Sequence, residues 1–296
     1  MTHVMDEIVS QPDCWARAVP LAQSEGLLLP ARGERVAVIG CGTSLFMGQV
    51  YAVLRESAGH GLTDAFPASE FPTGRHYDRM LAISRSGTTT EVLDLLDHVR
   101  GTLPTVAITA DGSTPIRTRA DEMIALEFAD EQSVVQTRFA TTALALLRAH
   151  LGHDMAHVIA DARLAIDTPL PRGACDREQF TYLGRGWTVG LAHEAALKMR
   201  EAALGWAESY PAMEYRHGPM SISDERSVVW VFGEPPPGLG AQVAATSAMF
   251  VRSGLEPMAE LIRCQRMAVA LATQRGLDPD RPRHLTRAVV LGPTGR

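Results

Sequence analysis

The side chains best suited to moving protons are concentrated in one short stretch of the sequence. Glu194, Lys198 and Glu201 are spaced by four and three positions, so they share one side of a helix predicted from Thr188 to about Trp206. A polar loop follows and ends at His217. Carboxylate, ammonium and imidazole groups act as general acids and bases, which favours a catalytic site. A solvated ion pair on a helix surface is the alternative interpretation, because glutamate four positions before lysine is a favourable order.

Two turns earlier in the chain have the composition of an anion site. Residues 40–44, Gly-Cys-Gly-Thr-Ser, join a predicted strand at 35–39 to a helix. Residues 84–90 carry five hydroxyl side chains in seven positions and join a strand at 80–83 to a helix at 91–100. Backbone N–H groups and the helix dipole attract phosphate at such turns. A ligand-free tight turn and a cluster of helix-capping residues are the alternatives, and no G-x-G-x-x-G dinucleotide fingerprint is present.

Short apolar strands and helices alternate around these turns. Further strands are predicted at 105–109 and 123–126, and a helix at 135–151 closes the unit. Buried strands connected by helices form parallel sheets that are covered on both faces. The sequence therefore predicts an α/β fold.

The second half of the chain repeats this order. Residues 183–188 repeat the strand, Gly-x-Gly turn and hydroxyl of residues 39–44, which indicates a duplicated unit. A strand at 228–232 and a helix at 240–252 continue the repeat. Residues 254–262 leave room for only one or two short strands before a last helix, so the second sheet is predicted to be the smaller one.

Composition argues against several classes of protein. The chain has 296 residues, of which 46% are apolar and 21% charged, and its net charge of −6 argues against a nucleic-acid-binding surface. No apolar run is long enough to cross a membrane, and the acidic N-terminus is unlike a signal peptide. The four cysteines are scattered without CxxC spacing, as expected for reduced thiols in the cytoplasm. His150, His153 and His157 straddle a predicted helix end, and no Asp or Glu completes a metal shell around them, so a solvated helix end is the interpretation, and we expect no metal site and no cofactor.

The longest motif in the chain resembles the sugar isomerase (SIS) family, and in detail the isomerase half of glucosamine-6-phosphate synthase. The motif is Gly-x-Gly, then Glu-x-Ala-Leu-Lys-x-x-Glu, then Glu-x-Tyr-x-x-x-Glu-x-x-His-Gly-Pro. The matching residues are Gly184, Gly186, Glu194, Ala196, Leu197, Lys198, Glu201, Glu208, Tyr210, Glu214, His217, Gly218 and Pro219. The resemblance extends from about Glu7 to Val290.

The resemblance implies two tandem SIS subdomains, each a parallel sheet flanked by helices in a three-layer, flavodoxin-like arrangement. The predicted divisions are a helical arm at 1–28, the first subdomain at 29–151, a linker at 152–178, and the second subdomain with the C-terminal tail at 179–296. Tail residues 276–285 resemble the family segment that folds back over the sugar.

The resemblance also implies a sugar-phosphate site. The residues expected to bind the substrate are Thr43, Ser44, Ser84, Arg85, Ser86, Thr89, Gln136 and Arg287. Arg85 stands where the synthase has glutamine, which would add a positive charge near the phosphate. Glu201 takes the place of the carboxylate that shuttles a proton between C1 and C2, and Glu194 and Lys198 are expected to line the same site. His217 takes the place of the ring-opening histidine, which the partner subunit supplies in the family, so we expect a homodimer with shared active sites.

Two departures from the synthase direct the functional prediction. We expect no glutaminase domain before the first strand, and therefore no nitrogen from glutamine. Arg287 stands where the synthase has an imine-forming lysine, and a guanidinium stays protonated and cannot form an imine. The sequence therefore predicts a phosphosugar isomerase or an amino-sugar-phosphate deaminase/isomerase that acts on a hexose or hexosamine 6-phosphate through an enediol. A regulatory SIS protein that binds a sugar phosphate without catalysis is the alternative.

Overall fold

Two parallel sheets organise residues 2–292, the part of the chain that the computed structural model describes. An N-terminal arm of three short helices comes first: α1 (His3–Val9), α2 (Gln11–Ala18) and α3 (Leu21–Ser24). The first sheet contains β1 (Val36–Gly40), β2 (Thr63–Pro67), β3 (Arg79–Ile83), β4 (Thr105–Thr109) and β5 (Glu122–Ala125). Its strand order is β2-β1-β3-β4-β5 and all neighbours are parallel. Its helices are α4 (Thr43–Ser57), α5 (Thr90–Val99) and α6 (Arg138–His150).

The second sheet repeats the order of the first with one strand fewer. It contains β6 (Gln179–Gly184), β7 (Trp206–Pro211), β8 (Ser227–Val231) and β9 (Met249–Val251). The order β7-β6-β8-β9 corresponds to β2-β1-β3-β4, again with parallel neighbours. Its helices are α7 (Met155–Asp167), α8 (Thr188–Ala203), α9 (Leu239–Ala245) and α10 (Pro257–Gln274). The predicted duplicated α/β fold and the smaller second sheet are confirmed.

Helices cover both faces of each sheet, which gives the predicted three layers. One continuous apolar core lies between the sheets and includes side chains of α4, α6, α8 and α10. The outer face of the first sheet packs against α5, and the outer face of the second packs against α9. None of the helices between residues 2 and 292 combines the length and the apolar character needed to cross a bilayer.

A glycine allows the two central helices of the core to approach closely. Gly190 of α8 faces α4, and a Cβ atom there would lie 2.7 Å from the carbonyl oxygen of Phe46. Further along α8, Leu197 lies against the turn at Gly42 that precedes α4. The face of α8 that carries Lys198 and Glu201 is therefore held beside the first sheet.

Four predictions for the second unit are wrong. Helix α8 ends at Ala203 instead of Trp206, because Leu204 adopts a left-handed conformation with φ of 50°. The following residues, 206–211, form strand β7 beside β6, where a loop was predicted. The helix predicted at 240–252 ends at Ala245, and β9 follows it; α10 starts within the segment predicted as strands. In the first unit, α6 starts at Arg138 instead of 135.

The two strands that the sequence did not predict, β7 and β9, are stabilised by pairing with a neighbouring strand. Strand β9 has only three residues, 249–251, and they are extended because they pair with β8. Local periodicity cannot separate so short an apolar segment from a helical turn. The start of α10 has a local cause, since the Glu256 carboxylate caps the N–H groups of Met258 and Ala259.

Candidate active site

The strand order of the first sheet places a cavity at the ends of β1 and β3. The order reverses between these two strands, and ligands of open parallel sheets bind in the crevice at such a point. The structure brings together around one cavity all eight predicted substrate-binding residues: Thr43, Ser44, Ser84, Arg85, Ser86, Thr89, Gln136 and Arg287. The carboxylate-bearing Glu201 of α8 lines the same cavity.

Two helices begin at this cavity without side-chain caps. The residue before α4 is Gly42, which has a positive φ of 54°, and the residue before α5 is Thr89. Neither makes a capping hydrogen bond through its side chain. The Ser86 hydroxyl accepts from the Thr88 N–H at 3.2 Å and lies 3.5 Å from the Thr89 hydroxyl. The interpretation of this turn as a capping cluster is therefore not supported, and the positive ends of two helix dipoles face the cavity.

The guanidinium of Arg85 is bound by several groups of the protein itself. It forms an ion pair with the buried Glu131 at 3.2 Å and donates to the carbonyls of Ser133 and Val134. It also donates to the carbonyl of Arg287 in the tail, at 3.2 Å. Arg85 therefore connects three segments of the cavity wall, and its positive charge is largely balanced by Glu131.

Gln136 lines the cavity and carries an unpaired amide group. Its Nε2 atom is buried and has no hydrogen-bond partner among the described residues. Leaving a buried donor unpaired costs roughly 1–3 kcal/mol. A ligand oxygen in the cavity would satisfy this donor.

Lys198 and its two carboxylate neighbours form a buried ionic cluster. The side chains of Glu194 and Lys198 are each 1% exposed, and that of Glu201 is 19% exposed. Lys198 Nζ lies 3.5 Å from Glu194 and donates a hydrogen bond to Glu201. A solvated surface pair is thus excluded. Glu194 and Lys198 do not themselves line the cavity but lie behind Glu201.

One ammonium group balances only one of the two carboxylates. Burial raises the pKa of Glu194 to about 8, although Lys198 opposes this shift, and the charge of Glu201 adds to it. Burial alone would lower the pKa of Lys198, but its two carboxylate neighbours outweigh burial and raise it. Lys198 is therefore charged and bonded to Glu201, and a pKa of about 8 leaves Glu194 mostly protonated at neutral pH.

The raised pKa of Glu194 predicts a dependence of stability on pH. Between about pH 4.5 and 8 the folded chain holds a proton on Glu194 that the unfolded chain has lost, so the free energy of unfolding falls as pH rises. The slope from this group approaches about 1.4 kcal/mol per pH unit. Glu194→Gln should remove this slope when urea unfolding is measured from pH 5 to 8, whereas Glu178→Gln on the surface should not. Parallel curves for wild type and Glu194→Gln would contradict the assignment.

His217 lies outside the cavity of its own chain. It is exposed at the end of a short 3-10 helix, Glu214–His217, that follows β7. No histidine within residues 2–292 lines the cavity. The contribution of His217 from a partner subunit therefore stays a prediction.

The C-terminal tail forms one wall of the cavity, through residues 285–289. The Thr90 N–H donates to the carbonyl of Val289 at 3.1 Å, and the Leu291 N–H donates to the Thr90 hydroxyl at 2.9 Å. Arg287 donates to the carboxylate of Asp130 and to the carbonyl of Glu131. The covering segment thus lies mostly beyond the predicted 276–285, and Arg287 is anchored to a loop of the first unit.

Two residues of the site were missed from the sequence. Cys41 lines the cavity, and its thiol lies 3.6 Å from the Glu91 carboxylate. Glu131 pairs with Arg85 and accepts hydrogen bonds from the N–H groups of Thr137 and Arg138 at the start of α6. The position of Cys41 inside the Gly-x-Gly turn was an available signal. Glu131 gave none, because its partner is 46 positions away.

No group of three or more His, Cys, Asp or Glu side chains within residues 2–292 is arranged to hold a metal ion.

Comparison with known proteins agrees with this fold. Residues 28–151 match the SIS domain. Glutamine–fructose-6-phosphate aminotransferase (isomerizing) from Pyrobaculum aerophilum is 27% identical over an alignment that covers 97% of this chain and 57% of that protein. The chain thus spans a little more than half the length of this curated relative.

Two solved structures share the arrangement of both units. Glucosamine-6-phosphate deaminase from Thermotoga maritima superposes with a TM-score of 0.80 and 23% identity, covering 98% of this chain and 100% of that one. The C-terminal domain of glucosamine-fructose-6-phosphate aminotransferase from Francisella tularensis superposes with a TM-score of 0.79 and 20% identity, covering 95% of this chain and 98% of that one. Residues 28–151 therefore match the SIS domain, and the chain as a whole shares the two-unit fold of these two solved structures.

Proposed function

We propose that the protein interconverts the aldose and ketose forms of a hexose or hexosamine 6-phosphate by proton transfer through an enediol, as an isomerase or as an amino-sugar-phosphate deaminase/isomerase. The observation that carries the proposal is the carboxylate of Glu201, the one acidic side chain among residues 2–292 that lines the cavity, at which two helices begin without side-chain caps. The phosphate would lie at the helix N-termini and the hydroxyl side chains. Its binding energy would then hold C1 and C2 near Glu201.

Glu201 has the properties of the base. Its carboxylate is partly buried, lines the cavity and accepts a hydrogen bond from the ammonium of Lys198, which holds it in place. One carboxylate can take the proton from one carbon and return it to the next. An imidazole, as in His217, is suited to open the sugar ring near neutral pH, and in our proposal it comes from the second subunit of a homodimer.

An imine route is disfavoured for this chain. Lys198 is the only lysine in the sequence, and its amine is buried, paired with two glutamates and held in the charged form. Attack on a carbonyl requires an uncharged amine. Arg287 cannot lose its proton at any biological pH.

The test is a panel of hexose and hexosamine 6-phosphates assayed for aldose–ketose interconversion and for ammonia release, with calorimetry of binding alongside. Interconversion without ammonia identifies an isomerase, and ammonia release from glucosamine 6-phosphate identifies a deaminase. Binding without turnover of any sugar would overturn the enzymatic proposal in favour of a regulatory sugar-phosphate-binding protein.

A further inference from the structure

The loop that carries Gln136 is held by the N-terminal arm. We call residues 131–136 the substrate loop. Glu7 of α1 is 3% exposed, and its carboxylate accepts from the N–H of Gln132 at 2.5 Å and from that of Ser133 at 3.2 Å. The Ser133 hydroxyl also donates to Glu7. A side chain more than 120 positions away in sequence thus satisfies consecutive donors of the loop.

The tail fixes both the arm and the substrate loop. The carboxylate of Asp280 accepts from the N–H groups of His3 and Val4 at 2.9 and 2.7 Å, which caps the start of α1. The carbonyl of Asp280 accepts from the Val134 N–H at 3.0 Å. On the acceptor side of the loop, Arg85 binds the carbonyls of residues 133 and 134. The loop backbone is therefore held from both sides immediately before Gln136.

We propose that Glu7 is a positioning residue that fixes the substrate loop so that the free amide of Gln136 meets the sugar phosphate. This inference rests on the proposed function for the identity of the ligand. The arm is distant in sequence from the residues that line the cavity, but the structure connects the two directly. Glu7 contacts Gln132 and Ser133, which belong to the same loop as Gln136, and Gln136 lines the cavity.

The chemistry of Glu7 predicts which substitution is tolerated. Burial, together with the charge of Glu131, raises the pKa of Glu7, while its bonds to the loop lower it. The proposed role requires a hydrogen-bond acceptor at position 7 and not a negative charge. The amide oxygen of a glutamine there can accept from both N–H groups. Glu7→Gln should therefore preserve binding, whereas Glu7→Ala leaves these buried donors unpaired.

The test measures the Kd for fructose 6-phosphate by calorimetry. Glu7→Ala should raise Kd roughly tenfold, because loss of one buried interaction of this kind is on this scale. Glu7→Gln should stay within about threefold of wild type by the same reasoning. Asp6→Ala, which removes the neighbouring exposed carboxylate of α1, should leave Kd unchanged. Equal effects of Ala and Gln at position 7, or no effect of either, would overturn the proposal.

A double variant separates positioning from general loss of stability. If Glu7 acts through Gln136, adding Glu7→Ala to Gln136→Ala should change Kd no further. Additive effects would mean that Glu7 acts elsewhere. If Glu7→Ala does not fold, Ser133→Ala replaces it, since it removes one of the donors to Glu7 and should weaken binding in the same direction.

Hydrogen exchange provides a readout that does not depend on the sugar. In Glu7→Ala the amides of Gln132 and Ser133 should exchange faster while those of the β1 and β3 strands do not change. If wild type binds no fructose 6-phosphate, the proposed function fails, and exchange alone decides whether Glu7 holds the loop. Unchanged exchange at 132 and 133 would refute the role of Glu7 in either case.

Discussion

Replacing Glu201 with glutamine should lower turnover of the substrate at least about a hundredfold, which is the usual scale for loss of a general base. Glutamine keeps the shape of the side chain and its position in the cavity, but it cannot take a proton from carbon. Binding of the sugar phosphate should survive, because the phosphate is expected at the N-termini of α4 and α5 rather than at Glu201. Turnover by coupled assay and Kd by calorimetry measure the two effects separately.

A carboxylate outside the site provides the matched control. Glu56 is exposed near the C-terminal end of α4, the end opposite to the cavity, and Glu56→Gln should leave turnover unchanged. If Glu201→Gln keeps wild-type turnover, Glu201 is not the base. Glu194 would then be the next carboxylate to test, since it lies on the same face of α8 and shares Lys198.

The site was largely predictable from sequence because it is built from local turns. The hydroxyls of residues 43–44 and 84–89 directly follow buried strands, and the carboxyl ends of parallel strands meet at one edge of a sheet. The order strand, turn, helix is therefore sufficient to place these residues together. The spacing of Glu194, Lys198 and Glu201 likewise predicted one helix face, which α8 confirms.

What could not be predicted depends on contacts between distant segments. The spacing of Glu194 and Lys198 suits a solvated pair as well as a buried one, and only the packing of α8 against α4 and α10 decides that they are buried. The same limit applies to Arg85, whose charge was expected near the phosphate. Its guanidinium is bound to Glu131 and to the carbonyl of Arg287, 202 positions away. Sequence spacing carries no information on such pairs.

Because His217 is exposed and lies outside the cavity of its own chain, it can take part in catalysis only if a second subunit brings it to the site. Apolar side chains are exposed on the segment that carries His217, with Met213 at 46% and Ile222 at 48%, and Trp206 at the start of β7 is 68% exposed. Trp206 lies on β7, which is an edge strand of the second sheet. Exposed apolar side chains on and beside an edge strand are typical of a surface that another chain covers. These observations support the prediction that His217 serves the cavity of a second subunit.

Mixing two inactive variants should therefore restore activity. Glu201→Gln chains lack the base and His217→Ala chains lack the imidazole, so each homodimer should be nearly inactive. When equal amounts are unfolded together and refolded, half of the dimers contain both chains, and one of their two sites combines an intact Glu201 with an intact His217. Recovery of about a quarter of wild-type activity follows from this two-fold symmetry. Glu201→Gln mixed with the double variant Glu201→Gln/His217→Ala has no intact base and should recover nothing. If the first mixture is no more active than its parents, although sedimentation shows mixed dimers, each chain holds its own complete site and the shared-site prediction is wrong.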